Sequence, residues 1–404
     1  MIRKLLFRNP RRLLLVVLLI ASSSYLYFSL TLSCLAPEQN KILELSELVS
    51  LQPLDLEKKS ATPAPLATRK RTAVIIIAPM RSGSTFVGEI FNQHPDAFYV
   101  FEPFWALENY ANKTYDITSD RKLTFLKGIS SCKFEEIRDI MRFYLTTKGM
   151  GVMKTCKAME NMCARYRNQT KGKITLAQRC PIPSSSLPSV LKSTCEGKQF
   201  TAIKTIRMED LTLLQPLTQD SELDFKIIQL VRDPRGVIAS RIALSRKNIS
   251  LLSTLNTKVD RNEARDLCDR MVRNAQPYKH GASWLRGRYA LVRYEDVGLQ
   301  PFDMMNKFYN FIGVTPEKNI SDWIKTHTKT AKKKRDRNDP FGTIKDPVQA
   351  CNQWRLKLTF DETKLIQSQC KEAMSMFGYK YVISAKQMRN RSVELYDTRT
   401  SMVL

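Results

Sequence analysis

Read as a pattern of apolar and polar positions, the chain is organised around residues 73–104. Ala73–Ala78 is a continuous apolar run, the signature of a strand buried on both faces. A tight polar turn follows at Arg81-Ser82-Gly83-Ser84-Thr85, and then Phe86, Val87, Ile90 and Phe91 recur at helical spacing. The prediction is strand, loop, helix. From Thr72 onward, short apolar runs alternate with longer amphipathic stretches, which specifies an α/β domain with a mostly parallel central sheet. Candidate strands are 73–78, 151–154, 200–205, 225–231 and 289–293; candidate helices are 85–93, 134–147, 234–246, 260–276, 301–312 and 361–376. Between Asn161 and Gly197, prolines such as Pro181 and the cysteines Cys163, Cys180 and Cys195 read as a disulfide-tied insertion at the rim of the sheet, too irregular for core.

Ahead of this domain the pattern changes. Residues 1–12 carry Arg3, Lys4, Arg8, Arg11 and Arg12, and 13–35 are largely apolar, long enough for one membrane-spanning helix. The basic flank orients it with residues 1–12 cytoplasmic and the rest lumenal. A cleaved signal peptide is the alternative, given the interruption at Ser22, Ser23 and Ser24. Residues 36–71 are polar with Pro37, Pro53, Pro63 and Pro65, and read as a stem. Ile42, Leu45 and Val49 allow a short self-associating helix within it, a route to a homodimer. Residues 72–385 then form the folded domain and 386–404 a tail.

Composition sharpens this picture. The 65 Lys and Arg against 39 Asp and Glu, a formal charge of +26, call for an anionic partner. Nucleic acid is disfavoured by the membrane segment and by five glycosylation acceptors, Asn112, Asn168, Asn248, Asn319 and Asn390. The nine cysteines lack a CxxC zinc pattern, which in an oxidising lumen points to disulfides. With Cys34 set aside at the membrane edge, Cys132, Cys156, Cys163, Cys180, Cys195, Cys268, Cys351 and Cys370 can pair completely. The run Lys332, Lys333, Lys334, Arg335 and Arg337 is either a solvated loop or a groove for an anionic polysaccharide.

The turn at 81–86 can cradle an anion with backbone amides at a helix start and with Arg81. It lacks the G-x-x-x-x-G-K-[ST] pattern of an ATP-binding loop, so a nucleotide with a single 5′-phosphate group suits it better than a triphosphate. A second anion site is predicted at 232–240, where the run FKIIQLV ends in Arg232-Asp233-Pro234-Arg235-Gly236 and a helix carrying Ser240 and Arg241. Asp233 is read as the N-cap and Pro234 as the first helical residue. Two such sites at strand C-termini is where an open α/β sheet places a nucleotide.

The segments APMRSGSTFVGEIFNQHPDAFYVFEPFW and LVRDPRGVIASR resemble the two binding signatures of the Golgi carbohydrate 6-O-sulfotransferases. WLRGRYALVRYEDV at 284–297, QWR at 353–355, FGYK at 377–380 and NRSVEL at 390–395 extend the likeness over nearly all of the chain from Thr72. It is strongest to the galactose and N-acetylgalactosamine 6-O-sulfotransferases of chondroitin and keratan sulfate. The resemblance implies a P-loop-like sulfotransferase fold, 3′-phosphoadenosine 5′-phosphosulfate (PAPS) as donor, no metal, a glycosaminoglycan acceptor and a Golgi membrane location. It implies that Arg81, Ser82, Gly83, Ser84, Thr85 and Phe86 hold the 5′-phosphosulfate, and that Arg232, Asp233, Pro234, Arg235, Gly236 and Ser240 hold the 3′-phosphate.

The same likeness makes Glu102 the candidate general base, with Arg81 and Lys204 beside it in the catalytic set. His94 is a rival base, but its place just after a helix fits a capping role. Lys204 and Arg207 follow a strand and can reach sulfate or acceptor, or form a salt bridge; Glu295 and Asp296 are read as braces, and Trp354-Arg355 as packing. Besides the acceptor 6-hydroxyl of GalNAc or Gal, that of GlcNAc remains open, as does a non-catalytic glycosaminoglycan-binding protein. A P-loop kinase is disfavoured by the missing lysine.

Overall fold

The computed structural model describes residues 70–111, 118–147, 156–169, 180–246, 256–328, 342–343 and 346–397. The predicted membrane segment 13–35, the stem up to residue 69, the strand at 151–154, the basic run at 332–337, and Asn112 and Asn248 lie outside the described residues. Five strands form one sheet: β1 (Arg71–Ile77), β2 (Ala97–Phe101), β3 (Phe200–Thr205), β4 (Leu223–Val231) and β5 (Tyr289–Arg293). They run in the order β2-β3-β1-β4-β5, and every pairing is parallel.

The core of β1, Ala73 to Ile77, is buried on both faces, as its unbroken apolar run requires. Arg71 begins the strand, its guanidinium donating to the carbonyls of Lys198 and Cys195 and to Thr201 Oγ1. β2 is absent from the predicted strands. Its five residues AFYVF are all buried, and a short apolar run without polar alternation does not distinguish a strand from a buried helical turn, although the turn Gln93–Asp96 sets it off from α1.

Helices cover the sheet. In the first half they are α1 (Ser84–Asn92), α2 (Pro103–Ala111), α3 (Ser119–Ser130), α4 (Arg138–Thr146), α5 (Lys157–Gln169) and α6 (Leu187–Glu196). Next come α7 (Pro234–Ser245), α8 (Arg261–Lys279), α9 (Tyr294–Leu299), α10 (Pro301–Ile312) and α11 (Lys318–Thr328). Further along are α12 (Pro347–Asn352), α13 (Trp354–Lys357), α14 (Phe360–Gln369) and α15 (Lys371–Met376), and a short helix at Ala385–Arg389 follows.

Three expectations need correction. The 161–197 region is helical at both ends and supplies core residues Met162, Cys163, Ile182, Leu187, Leu191 and Cys195. The helix expected over 361–376 breaks at Cys370, whose ψ of 22° leaves the helical region and whose sulfur is tied to Cys268. The eight domain cysteines do not all pair. Three disulfides form, Cys132–Cys195, Cys163–Cys180 and Cys268–Cys370. Cys351 is a buried thiol, and Cys156 packs its sulfur 3.0 Å from the Tyr144 hydroxyl and 3.4 Å from the Phe101 amide.

The C-terminal ends of all five strands open on one side. β3 and β2 lie on one flank of β1, and β4 and β5 on the other, so the strand order reverses between β1 and β4. A ligand crevice forms at such a reversal.

Candidate active site

That crevice holds a cavity of about 250 Å³. Its wall takes residues from each strand end: Arg81, Gly83, Ser84, Thr85 and Phe86 after β1, and Glu102 after β2. Lys204 comes from β3 and Ile206 from just past it, Arg232, Gly236 and Ser240 from beyond β4, and Tyr294 from beyond β5.

The loop after β1 turns through two left-handed residues, Arg81 at φ 76° and Gly83 at φ 86°. Gly83 is required twice over. Its φ suits glycine, and a Cβ there would lie 2.1 Å from the Tyr294 ring. It is also the N-cap of α1 and offers no side-chain cap, so the positive end of the helix opens at Ser84 and Thr85, both on the cavity wall. Ser82 turns inward instead. It is fully buried, its Oγ has no hydrogen-bond partner among the described residues, and it is not on the wall.

The segment after β4 is locked onto this loop. Asp233 caps α7 by accepting from the Arg235 amide at 2.9 Å, with Pro234 next, as the sequence specifies. Arg81 Nε donates to Ser240 Oγ at 3.1 Å, and Arg241 Nε donates to the Met80 carbonyl at 3.3 Å. Among the described residues Arg232 forms no ion pair with a carboxylate. Its Nη1 donates to the Arg81 carbonyl at 2.9 Å, its Nη2 to the Ala350 carbonyl at 2.8 Å, and its guanidinium lies 4.7 Å from the Tyr294 ring centre. Nε of Arg232 is buried without a hydrogen-bond partner among the described residues. A buried donor left in this state is costly unless something else satisfies it.

Asp233, Pro234 and Arg235 are not brought to the wall. Arg235 is fully buried, donates to both Asp233 oxygens, to Gln367 and to the Lys380 carbonyl, and lies 4.3 Å over Trp354. It ties α7 to α14 and to the segment after α15. Trp354, expected as packing on this side, lines the cavity.

Glu102 has φ 51°, which ends β2 and turns its side chain onto the wall, and it is fully buried. Its carboxylate accepts from Lys204 Nζ at 2.5 Å, from Arg207 Nη1 at 2.7 Å and from the Ile206 amide at 3.1 Å. Burial pushes the Lys204 ammonium below the usual lysine range, and Glu102 opposes that push. Arg207 also donates to Glu108 at 2.9 Å. The salt-bridge alternative therefore holds for Arg207, but the partner is a cavity carboxylate as well as a surface one.

His94 is no part of this. Its Nδ1 accepts from the Asp96 amide, its Nε2 donates to the Thr315 carbonyl, and its ring packs against Phe200 and Tyr309. The other carboxylate on the wall, Asp346, caps α12 by accepting from the Gln349 amide. Of the acceptor asparagines, Asn168, Asn319 and Asn390 are exposed, and Asn319 Nδ2 donates to the Gln93 carbonyl at 2.7 Å.

The site therefore joins an uncapped helix N-terminus beside Arg81, a second arginine at Arg232 and a carboxylate held by two cations. A match to the sulfotransferase domain family covers residues 71–378, and the chain belongs to that family. Within it the chain is a carbohydrate sulfotransferase. Carbohydrate sulfotransferase 1 of Danio rerio is 31% identical over 359 residues, spanning 82% of this chain and 83% of its own. Carbohydrate sulfotransferase 3 of Mus musculus is 30% identical over 362 residues, spanning 85% and 75%. Among solved structures, the sulfotransferase domain of the Synechococcus PCC 7002 olefin synthase is 18% identical, with a TM-score of 0.40 over 76% of this chain and 98% of its own.

Proposed function

We propose that the chain transfers a sulfuryl group from PAPS to the 6-hydroxyl of GalNAc or Gal in chondroitin- or keratan-type glycosaminoglycans. In this reading it is a single-pass Golgi protein with its catalytic domain in the lumen. The observation that supports the donor assignment is that two groups suited to anions line one cavity. The uncapped N-terminus of α1 with Arg81 meets one anion, and the buried, unpartnered Nε of Arg232 meets another. A nucleotide phosphorylated at both 3′ and 5′ ends matches that pairing, and a triphosphate does not.

The residues divide the work. When bound, PAPS supplies an activated sulfuryl group, whose acceptance by a sugar hydroxyl releases the 3′,5′-bisphosphate nucleotide and one proton. Amides of Ser84 and Thr85, with the Arg81 guanidinium, stabilise negative charge on the 5′ side as it develops. Arg232 and Ser240 hold the 3′ side. Glu102 takes the proton of the attacking hydroxyl, and Lys204 and Arg207 keep its carboxylate aimed at the cavity. Lys204 also places positive charge near the reacting oxygens.

The test is transfer of labelled sulfate to desulfated chondroitin and desulfated keratan side by side, with disaccharide analysis of the products. Label on a 6-position of GalNAc or Gal supports the reading. Label on GlcNAc alone moves the acceptor, and no transfer to any glycan contradicts the reading.

A further inference from the structure

Glu295 is a carboxylate that no step above uses. It sits in the first turn of α9, 2% exposed, and commits each oxygen to a different segment. Oε1 accepts from the Asp233 amide at the head of α7 at 3.1 Å, and Oε2 accepts from the Tyr379 hydroxyl at 2.9 Å. It thereby fixes the residue next to Arg232.

The charged and titratable groups around it come from several elements. Arg232 and Asp233 act from the head of α7, Cys351 from α12, and Tyr379 and Tyr396 from the C-terminal segment. Arg293 and Asp296 flank it on its own segment, where Arg293 is committed to Asp296 and to the carbonyls of Phe377 and Asp397. Asp233, the neighbouring carboxylate, opposes ionisation of Glu295, and Arg232 is the cation that most favours it. The charge state of Glu295 thus depends on how much of the Arg232 charge is available to it.

We propose that Glu295 is a positioning residue whose protonation is linked to nucleotide binding. It holds the head of α7, and it takes up a proton from solvent when an anionic group of the nucleotide draws on the charge of Arg232. The inference rests on the reading of the Arg232 segment as a phosphate site. Burial pushes the Glu295 carboxyl up to about 7, so a further rise on binding falls near neutral pH.

The test is calorimetric titration of the detergent-solubilised full-length protein with the 3′,5′-bisphosphate nucleotide. Wild type, Glu295→Gln and Tyr379→Phe are compared from acid to mildly alkaline pH in two buffers of different ionisation heat. Ionisation of the nucleotide phosphates is common to all three and cancels in the comparison. Wild type should take up more protons on binding than Glu295→Gln. Its affinity relative to that variant should fall about tenfold as the pH rises through roughly two units around neutrality. Tyr379→Phe removes a donor to Glu295 and should move this window to higher pH. Equal proton uptake in wild type and Glu295→Gln, or an unmoved window in Tyr379→Phe, overturns the proposal. Wild-type protein that binds no nucleotide at any pH overturns the phosphate-site reading and the proposal with it.

Discussion

Arg81 and Ser240, 159 residues apart, meet through a 3.1 Å hydrogen bond from Nε to Oγ. The contact joins the loop after β1 to the second turn of α7, so the two segments proposed to bind the nucleotide phosphates are tied together. Arg81→Ala removes that link and a cavity cation together. Affinity for the 3′,5′-bisphosphate nucleotide should fall about a hundredfold or more, while Ser240→Ala should cost roughly tenfold; titration calorimetry measures both. Equal, small losses would mean the loop does not carry the anion.

Gly83→Ala puts a methyl group into the Tyr294 ring and forces alanine to adopt φ 86°. The left-handed backbone alone costs about 1–2 kcal/mol, with the clash on top. Thermal unfolding should show a drop of several degrees, and nucleotide affinity should fall with it.

Glu102→Gln tests the proton acceptor. Turnover should drop by about 10²–10⁴ with nucleotide affinity little changed, read from kcat in the sulfate-transfer assay and from calorimetry. Because Lys204 and Arg207 then face a neutral amide inside the protein, the melting temperature should fall as well. Retained turnover would move the proton to another acceptor.

The Glu295 carboxyl, pushed up to about 7 by burial and then by Asp233, predicts a pH dependence of stability. Its folded-state proton affinity exceeds that in the unfolded chain, so wild-type stability declines as pH rises from about 4.5 through 7 and stays lower above. Glu295→Gln cannot lose that proton. Its melting temperature relative to wild type should therefore be higher at pH 8 than at pH 5, by differential scanning calorimetry; a constant difference would contradict this.

Where sequence reading succeeded, local chemistry decided the outcome. The unbroken run of β1, the glycine turn and the Asp233-Pro234 helix start are each specified by neighbours a few positions away. The buried role of Arg235 is not legible because, Asp233 apart, its partners Trp354, Gln367 and Lys380 lie more than a hundred residues downstream. The clamp on Glu102 was equally hidden, since Lys204 and Arg207 reach it only after β3 pairs with β2 in parallel. Lys204 at the end of β3 and Arg207 just past it are, from local sequence, candidates and no more. Cysteine count suggested complete pairing, but burial rather than bonding explains Cys351, whose thiol is pushed above the usual range by desolvation.

The most direct test of the central claim is a crystal structure of the protein with the 3′,5′-bisphosphate nucleotide bound. The 5′-phosphate should lie on the amides of Ser84 and Thr85 beside Arg81, and the 3′-phosphate against Arg232 and Ser240. A nucleotide bound outside this cavity, or seated with its phosphates on neither segment, would contradict it.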